Sequence, residues 1–236
     1  MLVGIMGDTH DHLDNVRRLV ERFNEAGCGL VLHAGDFVSP LAVTPLRQLK
    51  CKMLAVWGDN DANRRAIEGQ MRVIGSVHEP PLETDLPDGT HLLMAHRPIQ
   101  RSLLEQAAKR GGAVAQKGGM VSRRQAGDHA SQQDEPGMLT PLRGENVAPS
   151  LVDQPATQQR TVQGRETPDG LHTLAVQSHT HHPGVKRYGG LLLLNPGEAC
   201  GWVTGLATAA FFDTDTGRAT LFEVTSGKAI QTSRLE

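Results

Sequence analysis

Three short aliphatic runs in the first sixty residues each lead into an acid, and this pattern most constrains the fold. Leu2 to Met6, Leu30 to Leu32 and Met53 to Val56 end in Gly7-Asp8-Thr9-His10, His33-Ala34-Gly35-Asp36 and Trp57-Gly58-Asp59. Runs this short and this apolar read as strands buried on both faces. Between the first two, Leu13, Val16, Leu19, Val20 and Phe23 recur at helical spacing, and Gly27 stands where that helix should stop. Ser39-Pro40 reads as an N-cap with proline in the first turn, and Pro45 keeps that second helix short. Strands alternating with helices predict a parallel sheet covered on both faces. Ligands of such sheets gather outside the C-terminal strand ends, where the acids stand. Residues two apart on a strand face one side, so Asp8 and His10 are expected to converge. Such a pair can hold a metal such as zinc, manganese or iron.

The pattern then changes. Val73 to Val77, Leu82 to Thr84 and His91 to Met94 read as short strands, with Asp88-Gly89 as a turn, and predict an antiparallel section ending in Ala95-His96-Arg97-Pro98. A helix is expected from Ile99 to Arg110, stopping at Gly111-Gly112. Residues 113–170 are rich in Gln, Arg, Ser, Gly and Pro and keep no hydrophobic period. They read as a polar, mobile insertion within a single domain of residues 1–236. Leu171 to Val176 leads into Ser178-His179-Thr180-His181-His182. Leu191 to Leu194 precedes the turn Asn195-Pro196-Gly197, and Leu206 to Phe212 with Arg218 to Val224 form a terminal hairpin.

Composition excludes several classes. Aromatic residues make up only 3%, so Leu, Val, Ile and Ala must build the core. A net charge of −2 with no basic block gives no electrostatic case for broad nucleic-acid or membrane binding. Cys28, Cys51 and Cys200 are too few and too scattered for a disulfide framework or a CxxC zinc site. They read as reduced, buried thiols of a cytoplasmic protein. The N-terminus lacks the charged and apolar regions of a signal peptide, and no run approaches the roughly 20 apolar residues of a membrane helix.

Asp8, His10, Asp36, Asp59, His96, His179 and His181 each fall at or just beyond a strand end. One such residue means little; seven at five successive strand ends point to a shared site. In order, DxH, GD, GD, a lone His and SHTH, the set resembles the calcineurin-like metallophosphoesterases, most closely their small YfcE-type branch. The resemblance covers roughly residues 1–112 and 171–225. It implies an α/β fold, a four-layer α-β-β-α sandwich with two packed sheets. It also implies two divalent metal ions, chosen among manganese, iron, zinc and nickel. Asp8, His10, Asp36 and His181 would hold one ion, and Asp36, Asp59, His96 and His179 the other. Asp36 would bridge them, and Asp36, Asp59 and His96 would serve catalysis directly. The implied activity is phosphodiester hydrolysis by a bridging hydroxide attacking phosphorus in line. The expected partner is a small phosphodiester, with a homo-oligomer left open.

Four positions depart from that family pattern. Asp59 stands where Asn is usual and removes the one net positive charge that two divalent ions, Asp8, Asp36 and a hydroxide would leave. Arg97 stands where Gly is common and is expected to clamp phosphate. Asn60 occupies the place where many relatives carry a leaving-group histidine, as it does in the YfcE-type branch, and Ser178 replaces a glycine. Two other readings compete. Asp8-Thr9-His10-Asp11-His12 also resembles the opening of TatD-type DNases, but the antiparallel half lacks the further strand–helix units of that barrel. A protein-binding scaffold of the YfcE-type fold, like the retromer subunit that shares it, stays open: every metal position is kept as Asp or His, so loss of chemistry is not evident, but Asp59 and Asn60 leave room for a feeble enzyme whose main role is interaction. His12, His33, His78, His91, His129, His172 and His182 are taken as structural or exposed, and Asp61 as the cap of the helix that begins near Ala62.

Overall fold

The structure is a computed structural model and describes residues 1–118 and 173–233. The chain opens with β1 (Leu2–Met6), α1 (Leu13–Glu25), β2 (Leu30–His33), α2 (Val43–Leu46), β3 (Lys52–Val56), α3 (Arg64–Met71) and β4 (Gly75–His78). It continues with β5 (Leu82–Asp85), β6 (His91–Met94), α4 (Arg101–Gly118), β7 (Thr173–Val176), β8 (Gly184–Tyr188) and β9 (Leu191–Asn195). The last elements are β10 (Thr208–Asp213), β11 (Arg218–Glu223) and β12 (Ala229–Ser233).

Two mixed sheets result. One has the order β12-β11-β10-β1-β2-β3-β4, the other β5-β6-β7-β9-β8. Strand alternation builds three apolar layers from them. Val3, Ile5, Leu32 and Val56 point one way and meet Leu92, Met94, Leu174, Val176, Leu192 and Leu194 of the second sheet. Met6, Val31, Met53 and Ala55 point the other way, onto Val16, Leu19, Phe23 and Ile67 of the helices. Leu93, Ala175 and Leu191 turn outward to Ala107 of α4, with Leu103 and Leu104 packed at the edge. Helix, sheet, sheet, helix is the expected four-layer sandwich. The core is aliphatic, as the scarcity of aromatic rings requires.

Several expectations are corrected. The run at residues 73–77 does not begin an antiparallel section: β4 pairs in parallel with β3 and finishes the first sheet. In the second sheet β6, β7 and β9 are mutually parallel, and only its two edge pairs run antiparallel. Gly111-Gly112 does not stop α4, which runs on to Gly118. Each glycine costs a helix only about 1 kcal/mol, and the sequence beyond supplies good helix formers. Most of the insertion expected over 113–170 lies outside the described residues, as do His129 and His172. Strands β8 and β12 have no counterpart in the apolar pattern, because both are sheet edges with largely exposed residues. Among the described residues no helix is long and apolar enough to cross a membrane.

Candidate metal centre

The loops that follow β1, β2, β3, β6 and β7 meet at one end of the sandwich. The first two are laced together: Asp8 N donates to the Gly35 carbonyl at 3.0 Å, and Thr9 N and His10 N both donate to the Asp36 carbonyl at 3.1 Å. Asp8 and His10 do converge, but not by strand alternation. Strand β1 ends at Met6, and both residues adopt left-handed backbone, with φ of 47° and 42°. Asp36, His179 and His181 share that conformation, at 62°, 67° and 63°. Asp and His are among the few side chains that enter it readily.

Asp36 occupies the middle. Its Oδ2 lies 3.4 Å from His10 Nε2 and 3.4 Å from His96 Nε2. On one side Asp8, His10 and Asp36 bring donor atoms within 4.8 Å of one another. His181 Nε2 stands 3.9 Å from Asp8 Oδ1 on that same side. On the other side Asp59, His96 and His179 form a second such group, with His179 Nδ1 3.2 Å from Asp59 Oδ2. All seven sequence-selected residues therefore come together.

The donor atoms are prepared for a cation. His96 Nδ1 is 2.9 Å from the Ala34 carbonyl, which only accepts, so Nδ1 carries the proton and Nε2 offers its lone pair. His181 Nδ1 likewise donates to Glu198 Oε2 at 2.8 Å, leaving Nε2 turned inward. Among the described residues, Asp8 Oδ1 and His10 Nε2 are buried and find no hydrogen-bond partner. Unpaired buried polar atoms are costly, and two facing the same small space fit a missing positive charge. Burial pushes the Asp8 carboxyl up from its ordinary range, against the hydrogen bond from Ser178 and the pull of His96 and His181. Burial acts the same way on Asp36, but two hydrogen bonds from Asn60, with His96 and His10 close by, hold that carboxyl below its usual value.

Other residues shape the centre. Asn60 takes both Asp36 oxygens, N to Oδ1 and Nδ2 to Oδ2, each at 2.8 Å. Ser178 donates to Asp8 Oδ2 and is buried, so the departure from glycine adds a bond to an acid. Gly58 is crowded: a Cβ there would lie 2.2 Å from Asp36 N and from Asp36 Oδ1. Asp61 does not cap a helix. It accepts from Val38 N at 2.9 Å and Gly58 N at 2.6 Å, while Asn63 stands at the N-cap of α3. His12 is the N-cap of α1, accepting from Asn15 N. His33 packs flat on Phe37, with ring centroids 3.7 Å apart, and burial pushes its imidazole down to about 3. His182 is exposed.

Sequence reasoning missed Glu198 and Cys200. Glu198 is fully buried and accepts from Trp202 N, Val203 N and Thr204 N as well as from His181. Burial opposes its charge, yet His181 and the Thr204 and Val203 amides bring its carboxyl down to about 2. Cys200 lies within 4.8 Å of donor atoms of His10 and His181. Burial pushes its thiol up to about 12, and it donates to Glu198 at 3.1 Å. The one available signal was position, since both residues follow the end of β9 on the same edge as the other strand tips.

This fold and this convergence of Asp and His define a phosphoesterase: the chain belongs to the calcineurin-like phosphoesterase superfamily, whose domain it matches over residues 1–217. The family is metal-dependent. Among particular relatives, the chain is 25% identical to Phosphodiesterase MJ0936 of Methanocaldococcus jannaschii over 217 residues, covering 91% of this chain and 94% of that one. A solved archaeal phosphodiesterase superposes with a TM-score of 0.63 at 23% identity, over 94% of this chain and 99% of the other. YfcE, a phosphoesterase from E. coli, superposes with a TM-score of 0.59 at 15% identity over the whole of both chains.

Proposed function

We propose that the protein hydrolyses small phosphodiesters at a two-metal centre in the cytoplasm. The observation that carries this reading is the position of Asp36 Oδ2, equidistant at 3.4 Å from His10 and His96 and therefore between the two donor groups. Asp8, His10, Asp36 and His181 would hold one divalent ion; Asp36, Asp59, His96 and His179 would hold the other. When bound, the ions supply an acidified water and positive charge opposite the phosphoryl oxygens. The chain's own residues do the rest. Asn60 holds the Asp36 carboxylate in place between the two donor groups, and the Ala34 carbonyl and Glu198 set the tautomers of His96 and His181. Arg97 stands at the rim, next to a cleft of about 580 Å³ lined also by Asp59, Arg64, Glu79, His96 and Gln100. It offers a guanidinium to the entering phosphate. Asn60 is too weak an acid to protonate a leaving group, so esters of acidic alcohols are the better substrates.

A purely scaffolding role would leave the unpaired Asp8 and His10 atoms without a purpose. The test is metal analysis of the purified protein together with hydrolysis of bis(p-nitrophenyl) phosphate after loading with manganese, iron, zinc or nickel. About two ions per chain and a turnover that Asp36→Asn abolishes are expected. Wild-type protein that takes up metal but shows no hydrolysis with any of the four would overturn the reading.

A further inference from the structure

Trp202 is the most exposed of the Phe, Tyr and Trp side chains, ahead of Tyr188 at 54%. It is 64% exposed, although large aromatic side chains generally hide most of their surface. Its ring centroid lies 6.1 Å from that of His10 and 6.0 Å from that of His12, at the edge of the candidate metal centre. The neighbouring Val203 is 68% exposed. The backbone of this segment is tied down. The Glu198 carboxylate accepts the backbone N–H groups of residues 202, 203 and 204, at 3.1, 3.0 and 2.6 Å, and the Thr204 hydroxyl at 2.7 Å. That same carboxylate accepts the His181 Nδ1 proton. One buried anion therefore holds both an inner histidine and the backbone that carries the outer ring.

We propose that Trp202 is a stacking platform for a flat aromatic substituent, such as a nucleobase, on the phosphodiester held at the adjacent centre. This rests on the phosphodiesterase reading above and adds the substrate class. An open indole face attracts flat rings in offset stacks, and a platform on backbone that is already ordered loses less freedom on binding. A cationic substituent is a poor alternative, because it would sit beside the charge of bound divalent ions. A small alkyl group would cover too little of the ring to select for it. The opposite flank of the centre, with Asp59, Arg97 and Arg64, is left for the other arm of the diester.

The experiment compares binding of thymidine 5′-monophosphate and methyl phosphate to the manganese-loaded full chain by calorimetry, in wild type, Trp202→Ala and Trp202→Phe. Stacking of one base is worth about 5- to 150-fold in affinity, so the wild type should favour the nucleotide by at least about fivefold. Trp202→Ala should lose that margin, Trp202→Phe should keep most of it, and methyl phosphate should bind all three alike. The proposal is overturned if the margin survives in Trp202→Ala, if both ligands weaken together, or if the wild type shows no margin. Hydrolysis of bis(p-nitrophenyl) phosphate separates the two readings. Hydrolysis without a nucleotide margin sinks the platform alone, and a margin without hydrolysis sinks the phosphodiesterase alone.

Discussion

The Arg97 guanidinium lies on Asp59, with Nε 3.0 Å from each carboxylate oxygen. These two positions both depart from the family pattern, and in the structure they depart together. The extra negative charge that Asp59 brings to the centre is matched by a positive charge from the tip of β6, in the other sheet. Arg97 is 72% exposed, so the pair adds little to stability, no more than about 1 kcal/mol. Its effect should appear in catalysis. On kcat/KM for bis(p-nitrophenyl) phosphate, Asp59→Asn and Arg97→Ala should be coupled by more than about 0.5 kcal/mol in a double-mutant cycle. Melting temperatures should barely move. Additive effects would mean that the two residues act separately.

Gly58 has no room for a side chain. A methyl group there would strike the backbone and carboxylate of Asp36, which is itself clamped by Asn60. Gly58→Ala should therefore displace the Asp36 carboxylate while leaving the sheets intact. The expected result is a circular dichroism spectrum like that of wild type, with bound metal reduced and activity down about 100-fold or more, since a shift near 1 Å costs that much. Full metal content and full activity in this variant would show that Asp36 does not need its observed position.

His33 should make the protein acid-sensitive. Burial between Phe37 and the strands holds its imidazole neutral down to about 3, whereas in the unfolded chain it takes a proton near its ordinary value of 6.5. The unfolded state therefore binds more protons between these values. The stability that depends on this difference is complete above about pH 6.5 and is lost as the pH falls toward 3. Between pH 6.5 and 5 the loss should be about 2 kcal/mol. Urea unfolding of metal-free protein should show that drop in wild type and a shallower one in His33→Gln. Equal slopes in the two proteins would rule His33 out as the source.

Helix α4 leads away from the centre. Ile99 N, just before it, donates to the Gln177 side chain beyond the end of β7, whereas the Thr173 hydroxyl at the start of β7 donates to the Ala107 carbonyl. The chain thus leaves α4 and re-enters β7 at the sheet end opposite His96 and His179. Replacing residues 119–172 with a short Gly/Ser linker should keep kcat/KM within about threefold, because loop length is a weak contributor to stability. A folded variant without activity would show that this segment takes part in the reaction.

The seven candidate ligands were legible because each follows an apolar run, and strand ends can be read from hydrophobicity. The partners that orient them were not. Asn60 and Glu198 act through hydrogen bonds to residues distant in the chain or across a turn, and no periodicity marks such bonds. Asp61 was legible as a residue type but not in its role, since a carboxylate before a helix looks the same whether it caps that helix or ties Val38 to Gly58. The edge strands β8 and β12 escaped because they bury too little to leave an apolar signature. The convergence of Asp8 and His10 was anticipated for the wrong reason, since loop backbone and not a strand turns them inward.

Five of the seven cation-binding candidates occupy a backbone well that most amino acids avoid. Chemistry and conformation therefore restrict these positions independently. Asparagine satisfies the second demand but offers only a neutral amide oxygen in place of a carboxylate or imidazole, so Asp→Asn and His→Asn exchanges at these five places should weaken cation binding and leave the loops standing. Valine or isoleucine would fail on both counts and deform the loop as well. Natural drift at these five places has few neutral steps open to it, and an engineer wishing to retune the ion preference would do better to start at His96 or Asp59, where the main chain imposes no such toll.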